Sequence, residues 1–195
     1  AVVREKAPAL PLCISADVLP EMKEYERTST TVINAYVLPV VGAYLASLRK
    51  GLDDDGIKAP IYLMQSNGGL TTSETAARLP MHIIESGPAG GVIGSQAIAR
   101  ASGLENVITF DMGGTTAKTS MIARGEVTRA LDMQVGGNIM HGSRLLTGAG
   151  YALKVPAIDL AEVGAGGGSI LSVDAGGSLK AGPQSAGASP GPVCY

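Results

Sequence analysis

The segment Asn106–Val127 constrains the fold more than any other part of this chain. It contains two apolar runs, Val107–Phe110 and Ala117–Ala123, on either side of a turn with two adjacent glycines. Short apolar runs around such a turn are typical of a β-hairpin, and a third run, Glu126–Leu131, predicts an antiparallel meander. Further strands are expected at Val155–Leu160, Ser169–Asp174 and Leu179–Ala181.

The residues before 106 alternate between helix and strand patterns. The expected elements are a helix from about Thr30 to Lys50 bent near Pro39, a strand at Ile61–Gln65, a helix at Ser73–Leu79, a strand at Met81–Ile84 and a helix at Ala89–Ser102. This rhythm is typical of an α/β fold with parallel strands. We therefore predict two portions, a helix-rich α/β portion at 1–105 and a β-rich portion at 106–195.

Composition and charge exclude several classes of partner. The uncharged run Thr31–Leu48 reaches the length of a membrane span, but Asn34 and Pro39 interrupt it, so we predict a helix buried in a protein core and no membrane contact. The net charge of −2 and the absence of Trp give no basis for nucleic-acid binding.

No basic and apolar leader opens the chain, so we expect a cytoplasmic protein. Cys13 and Cys194 are then expected as free thiols, with a disulfide as the alternative.

The turn Asp111–Thr116 is not a P-loop. A P-loop has glycine immediately before its lysine and again five residues earlier. Here Ala117 precedes Lys118, and Met112 stands at the earlier position. The segment is therefore a hairpin turn whose tip lacks side chains.

The composition of this turn suits a nucleotide phosphate. The Asp111 carboxylate can hold Mg²⁺ or its water shell, or orient a nucleophile. Glycine amides can point N–H groups at a polyphosphate, and hydroxyls and a lysine can add donors. The candidate nucleotide-binding residues are Gly113, Gly114, Thr115, Thr116 and Lys118. An ordinary hairpin with an aspartate explains the same pattern, and the spacing alone leaves both interpretations open.

A second glycine cluster, Gly164–Ser169, lies between two predicted strands. It suits either an anion-binding nest or a tight structural turn, and its candidate ligand contacts are Gly166, Gly167 and Gly168. The same two interpretations apply to Asn67–Gly69 and Ser86–Gly91. His82 lies in an apolar run and is expected in the core or at an edge, whereas His141 lies in a polar loop; neither has a metal-ligand partner at suitable spacing.

Six motifs from about Glu24 onward together resemble the hydantoinase A / 5-oxoprolinase family. They are, in chain order, EYERTSTTVINAYVLPVVGAYL, MQSNGGL, ESGPAGGVIGS, TFDMGGTTAKTSMI, VPAIDLAEVGAGGGSI and AGPQSAGASPGPVCY. The resemblance implies part of an actin-like ATPase fold, ribonuclease-H-like, with a mixed sheet and flanking helices. It makes Asp111–Thr116 the second phosphate hairpin of that superfamily. ATP and Mg²⁺ are then the cofactors, and Asp111 is the catalytic and metal-binding residue.

The family resemblance also implies an activity. The family includes ATP-dependent hydantoinases, 5-oxoprolinases and the ATP-binding subunits of ketone carboxylases, and many members work with a B-type subunit. The expected function is an ATP-dependent hydrolase that activates the carbonyl of a small cyclic amide by phosphorylation. The ATP-binding subunit of a ketone carboxylase, with a ketone substrate, and a non-catalytic actin-like nucleotide-binding module are the alternatives.

The chain departs from the family pattern at two positions and lacks one motif. Lys118 stands where many relatives have an acid, and Ala161 where many have a histidine, which affects the substrate more than the nucleotide. The first phosphate motif of the family, DxGGTxTD, does not occur before residue 111. We therefore expect a central fragment with one wall of the ATP cleft, which binds ATP weakly and is inactive alone.

Overall fold

The computed structural model describes residues 2–136 and 150–192. Its α-helices are α1 (Val2–Lys6), α2 (Ser15–Val18), α3 (Glu24–Asp54), α4 (Ser73–Arg78) and α5 (Ser86–Ala101), with a 3₁₀ helix at Pro80–Ile83. Its strands are β1 (Tyr62–Met64), β2 (Leu70–Thr72), β3 (Val107–Met112), β4 (Ala117–Ala123), β5 (Glu126–Val127), β6 (Arg129–Ala130), β7 (Met133–Val135), β8 (Tyr151–Leu153), β9 (Ala157–Ile158), β10 (Ala161–Val163), β11 (Ser169–Val173) and β12 (Leu179–Ser185). This mixture of helices and small sheets fits the predicted α/β class.

The described residues form two compact units. The first contains the residues up to Gly90 together with Arg129–Val135 and Tyr151–Ile158. The second contains Gly91–Thr128 and the residues from Asp159 onward. The predicted division into a helix-rich portion at 1–105 and a β-rich portion at 106–195 stays a prediction.

All strand pairs in the described ranges are antiparallel, so the prediction of parallel strands is wrong. The β1–β2 pair shows why. A short turn joins these strands, in which the Gly69 N–H donates to Asn67 Oδ1 at 2.7 Å and Gly68 adopts φ +84°. A turn of this kind permits immediate antiparallel pairing, whereas parallel pairing requires a long crossover. The cluster Asn67–Gly69 therefore serves as a turn.

The core of the first unit lies around four buried side chains, Val18, Met81, Leu153 and Val155. Met81 belongs to the 3₁₀ helix, so the predicted strand at Met81–Ile84 is wrong. The reason is Pro80, which occupies the first helical position, where its missing N–H and fixed φ suit a helical turn.

The predicted helix from Thr30 to Lys50 is confirmed and is longer, running from Glu24 to Asp54 with Pro39 inside it. The prediction that it is buried is wrong, since only Thr30, Asn34 and Leu45 are buried along its length. Its contacts to the core are partly polar. The Lys154 N–H donates to Thr30 Oγ1 at 2.9 Å, and the Met81 N–H donates to Asn34 Oδ1 at 3.3 Å.

By length and composition alone, α3 could cross a membrane. Its most apolar 18-residue window has a mean hydropathy of 1.6 and is 11% buried. Core helices of soluble proteins pass the same test, so this observation is weak support for a membrane span.

His82 is half-buried in the 3₁₀ helix, as expected for a residue of the core or its edge. Burial lowers the pKa of its imidazole. Its carbonyl accepts hydrogen bonds from the Ser66 N–H at 2.7 Å and the Ser66 hydroxyl at 2.9 Å. Cys13 is a free thiol; His141 and Cys194 lie outside the described residues.

The second unit is built on the sheet β10-β4-β3, with β5 also paired to β4. The hairpin of β3 and β4 is confirmed in the predicted place. The predicted strand Glu126–Leu131 divides at Thr128, whose N–H and hydroxyl both donate to the Met121 carbonyl, at 3.2 and 3.1 Å. As a result β5 pairs with β4, whereas β6 pairs with β9.

Candidate functional site

The tip of the β3–β4 hairpin is a turn closed by a backbone hydrogen bond, which the Gly113 N–H donates to the Thr116 carbonyl at 3.0 Å. Gly113 does not adopt a positive φ, and a Cβ built on it would meet nothing within 4 Å. Neither backbone conformation nor packing therefore requires a glycine here, and the missing side chain leaves room for a ligand to approach the backbone.

Two backbone amides at this tip are available to a ligand. Within residues 2–136 and 150–192, the N–H groups of Gly114 and Thr115 donate to no acceptor. Thr115 is exposed and Gly114 is partly exposed. Consecutive free amides in a turn form a concave donor site that suits a phosphate oxygen.

The loop Gly164–Ser169 lies against this turn, backbone to backbone. The Gly167 N–H donates to the Gly113 carbonyl at 2.9 Å, and the Gly168 N–H donates to the Gly114 carbonyl at 2.8 Å. The Gly166 N–H donates to Ser169 Oγ at 3.0 Å. These three amides thus have protein acceptors, and the hydrogen bonds of Gly167 and Gly168 brace the hairpin tip.

The close approach explains why the loop contains glycines. A Cβ on Gly166 would lie 2.7 Å from the Gly113 carbonyl oxygen and 2.8 Å from backbone atoms of Thr115 and Thr116. A Cβ on Gly168 would lie 2.8 Å from the Gly114 carbonyl oxygen. By contrast, a Cβ on Gly167 would meet nothing closer than 3.6 Å, which is ordinary van der Waals contact.

A third segment, Ala186–Pro192, completes this arrangement and was missed as part of the site. The Ala186 N–H donates to the Gly168 carbonyl at 2.7 Å. The Gly187 carbonyl oxygen would lie 3.0 Å from a Cβ on either Gly114 or Gly168. The sequence signal was a motif without an assigned role, AGPQSAGASPGPVCY, whose last residues lie outside the described ranges.

Three charged residues lie in a row across the sheet beside the tip. Asp111 on β3 is directly opposite Lys118 on β4, and Lys118 is directly opposite Glu162 on β10. Directly opposite residues in antiparallel strands project from the same face of the sheet, with Cβ atoms about 5 Å apart. The lysine therefore lies between two carboxylates.

Lys118 is engaged with one of these carboxylates. Its Nζ atom lies 2.7 Å from Glu162 Oε1 and donates to Thr116 Oγ1 at 2.9 Å. The Lys118 side chain is only 18% exposed, and that of Glu162 is 36% exposed. The candidate phosphate ligand Lys118 is thus charge-paired, and Glu162 is the partner that sequence reasoning missed.

Asp111, in contrast, is exposed, and its carboxylate makes no hydrogen bond or ion pair within the described residues. No group of three or more His, Cys, Asp or Glu side chains in these ranges could hold a metal ion by itself. A single carboxylate beside a phosphate site nevertheless fits Mg²⁺, which usually takes one or two carboxylates, substrate phosphates and water.

Comparison with known proteins identifies the family. The Hydantoinase/oxoprolinase family profile matches residues 27–195. The chain belongs to this family. An uncharacterized protein of Methanocaldococcus jannaschii is 48% identical over 190 residues, 94% of this chain and 28% of that protein. Caprolactamase subunit alpha of Pseudomonas jessenii is 39% identical over 195 residues, 100% of this chain and 26% of the relative.

Solved structures agree with this membership. The nucleotide-free structure of acetone carboxylase matches with a TM-score of 0.73 at 30% identity, covering 96% of this chain and 24% of that one. The ATP-dependent caprolactamase of P. jessenii matches with a TM-score of 0.70 at 38% identity, covering 100% and 26%. This hydantoinase/oxoprolinase family chain therefore spans about a quarter of the length of these relatives.

Proposed function

We propose that the whole protein is an ATP-dependent enzyme that opens a small cyclic amide after phosphorylating its carbonyl oxygen. The observation that carries the proposal is the hairpin tip. Among the described residues, the Asp111 carboxylate has no partner there, and it adjoins two amides without acceptors and Gly113, which has space for a ligand beside it. Membership in the hydantoinase/oxoprolinase family and the likeness to a caprolactamase support a cyclic amide as the substrate.

We assign the phosphate contacts to the hairpin turn. The amides of Gly114 and Thr115 would bind phosphate oxygens, and Gly113 would let the polyphosphate approach. The hydroxyls of Thr115 and Thr116 would add donors. Gly166, Gly167 and Gly168 would contribute by holding the turn in place, because their own amides already have acceptors.

Asp111 would hold Mg²⁺ through its carboxylate, directly or through water, as the metal and catalytic residue. When bound, the cation gathers the negative charge of the phosphates and lowers the barrier to phosphoryl transfer. Asp111 would orient the cation toward the polyphosphate, and the amides would stabilise charge on the transferred group.

The fold that suits these roles is part of an actin-like ATPase, ribonuclease-H-like, with the β3–β4 hairpin as one of two phosphate loops. The second loop would come from residues outside this chain, so the chain alone would bind ATP weakly. A partner subunit is also part of the proposal, since three relatives are named as subunits. We place the assembled enzyme in the cytoplasm.

A ketone carboxylase is the second candidate, favoured by the TM-score of 0.73 to acetone carboxylase. The hairpin chemistry would be the same, because a ketone enolate can also accept a phosphoryl group. The two candidates differ in the acceptor that occupies the site.

The test is substrate-stimulated ATP consumption by the whole protein with its partner subunit. A panel of lactams, hydantoins and 5-oxoproline should stimulate phosphate release, with the ring-opened product appearing in step. Stimulation by ketones with bicarbonate alone would favour the carboxylase. Absence of stimulation by either class would refute both enzymatic proposals.

Asp111→Asn provides the residue-level test. The amide keeps the size of the side chain but loses the charge that would hold the cation. We expect turnover to fall by about 10³-fold or more with an unchanged circular dichroism spectrum. Near-normal turnover would show that the hairpin is structural.

A further inference from the structure

The row Asp111–Lys118–Glu162 places one lysine opposite two carboxylates, so the question is which of them it pairs with. A lysine directly opposite a carboxylate would be expected to pair with it, which would neutralise Asp111. The structure shows the ammonium paired with Glu162 instead, at 2.7 Å. Asp111 keeps an exposed, unpaired carboxylate within the described residues.

Lys118 has two alternative acidic partners of similar reach. In the register of the sheet, Asp111 and Glu162 are the residues directly opposite it on its two neighbouring strands. A lysine ammonium on a flexible four-carbon stem can turn to either strand. The choice between the two carboxylates therefore depends on the presence of Glu162 and on Thr116, whose hydroxyl accepts a hydrogen bond from Nζ at 2.9 Å.

We infer that Glu162 is a positioning residue that holds the Lys118 ammonium away from Asp111, so that the Asp111 carboxylate stays free to bind the divalent cation of the nucleotide. The inference rests on the proposed cation site at Asp111. It gives Glu162 a role through Lys118 rather than through contact with the nucleotide.

Removing the charge of Glu162 should lower the affinity of the site for the divalent cation. Without the Glu162 charge, Lys118 would pair with the remaining carboxylate across the sheet and compete with the metal for it. An ion pair of this kind, partly shielded from solvent, changes binding by roughly fivefold. Removing the lysine as well would abolish the competition and restore the metal affinity.

The experiment uses Mn²⁺ as a spectroscopic replacement for Mg²⁺, since both prefer oxygen ligands. Free Mn²⁺ is measured by electron paramagnetic resonance during titration of the whole protein, which is kept in excess over a non-hydrolysable ATP analogue so that little unbound nucleotide chelates the metal. We expect Glu162→Gln to weaken Mn²⁺ binding about fivefold, and Glu162→Gln with Lys118→Met to return it to within about twofold of wild type.

Two further variants make the result interpretable. Glu126→Gln is the matched control, because it removes a different ion pair of the same sheet, between Glu126 on β5 and Arg100 of α5 at 3.0 Å, and should leave Mn²⁺ affinity unchanged. Asp111→Asn tests the cation site itself and should weaken Mn²⁺ binding more than Glu162→Gln does, because only the nucleotide phosphates and water then remain as ligands.

The outcomes separate the inference from the proposed function. If Asp111→Asn weakens Mn²⁺ binding but Glu162→Gln binds Mn²⁺ as wild type does, the positioning role is refuted and the cation site stands. If the double variant is as weak as Glu162→Gln, Glu162 acts on the site directly and the inference is also refuted. If Asp111→Asn binds Mn²⁺ normally, the cation site fails, and the inference fails with it.

Discussion

Replacing Gly166 by alanine tests whether the loop Gly164–Ser169 positions the β3–β4 hairpin. A Cβ at this position would lie 2.7 Å from the Gly113 carbonyl oxygen and 2.8 Å from backbone atoms of Thr115 and Thr116. Ordinary contact begins near 3.4 Å, so the hairpin tip or the loop must move by about 0.7 Å. The contacted atoms are backbone, which cannot rotate away as a side chain can.

The expected effects are large on turnover and moderate on stability. Overpacking of this size costs about 1–3 kcal/mol. A displacement approaching 1 Å in a group that positions the reacting atoms can lower the rate about 10²-fold. We therefore expect Gly166→Ala in the whole protein to lower the apparent melting temperature by several degrees and turnover by one to two orders of magnitude.

Gly167→Ala is the matched control. Its Cβ would meet nothing closer than 3.6 Å, and its N–H can still donate to the Gly113 carbonyl. Both variants are measured by ATP-dependent turnover and by thermal unfolding. Equal behaviour of Gly166→Ala and Gly167→Ala would refute the reasoning, because only the Cβ at position 166 meets the backbone closer than ordinary van der Waals contact.

Three further predictions follow from single contacts. Gly113→Ala should leave the melting temperature unchanged but weaken binding of a Mg²⁺–ATP analogue about tenfold by calorimetry, since its side chain would occupy only ligand space; unchanged affinity would exclude close approach there. Asn34→Ala leaves the buried Met81 N–H without its acceptor and should lower the free energy of unfolding by about 1–3 kcal/mol in urea titrations; a smaller loss would mean that water replaces the amide. Burial lowers the pKa of His82 below its usual value of about 6.5, so the unfolded chain binds this proton more tightly and stability falls as pH drops below 6.5; His82→Gln should flatten that slope, and a slope unchanged by the substitution would assign it to other groups.

Local patterns predicted the hairpin and its candidate residues, because the turn and its flanking strands are adjacent in sequence. Asp111 and the glycines after it lie where alternation and turn chemistry place them. Pairing between distant segments was not predictable in this way. Glu162 lies opposite Lys118 only because β10 pairs with β4, across 44 residues of sequence. For the same reason the ion pair between Lys118 and Glu162 could not be predicted from the local pattern around Lys118.

The glycines of this site divide into two kinds, and the division bears on function. Gly166 and Gly168 are fixed by the protein itself, since a side chain at either would strike the backbone of the hairpin. Gly113 is fixed by nothing within the described residues, because its conformation suits any residue and its surroundings are open. The sequence alone does not distinguish a glycine that packing requires from one that it does not. In the part of the chain that the structure describes, Gly113, a glycine that the fold does not require, lies beside amides without acceptors and a carboxylate without a partner. An ordinary hairpin leaves that combination unexplained, and a bound polyphosphate would explain it.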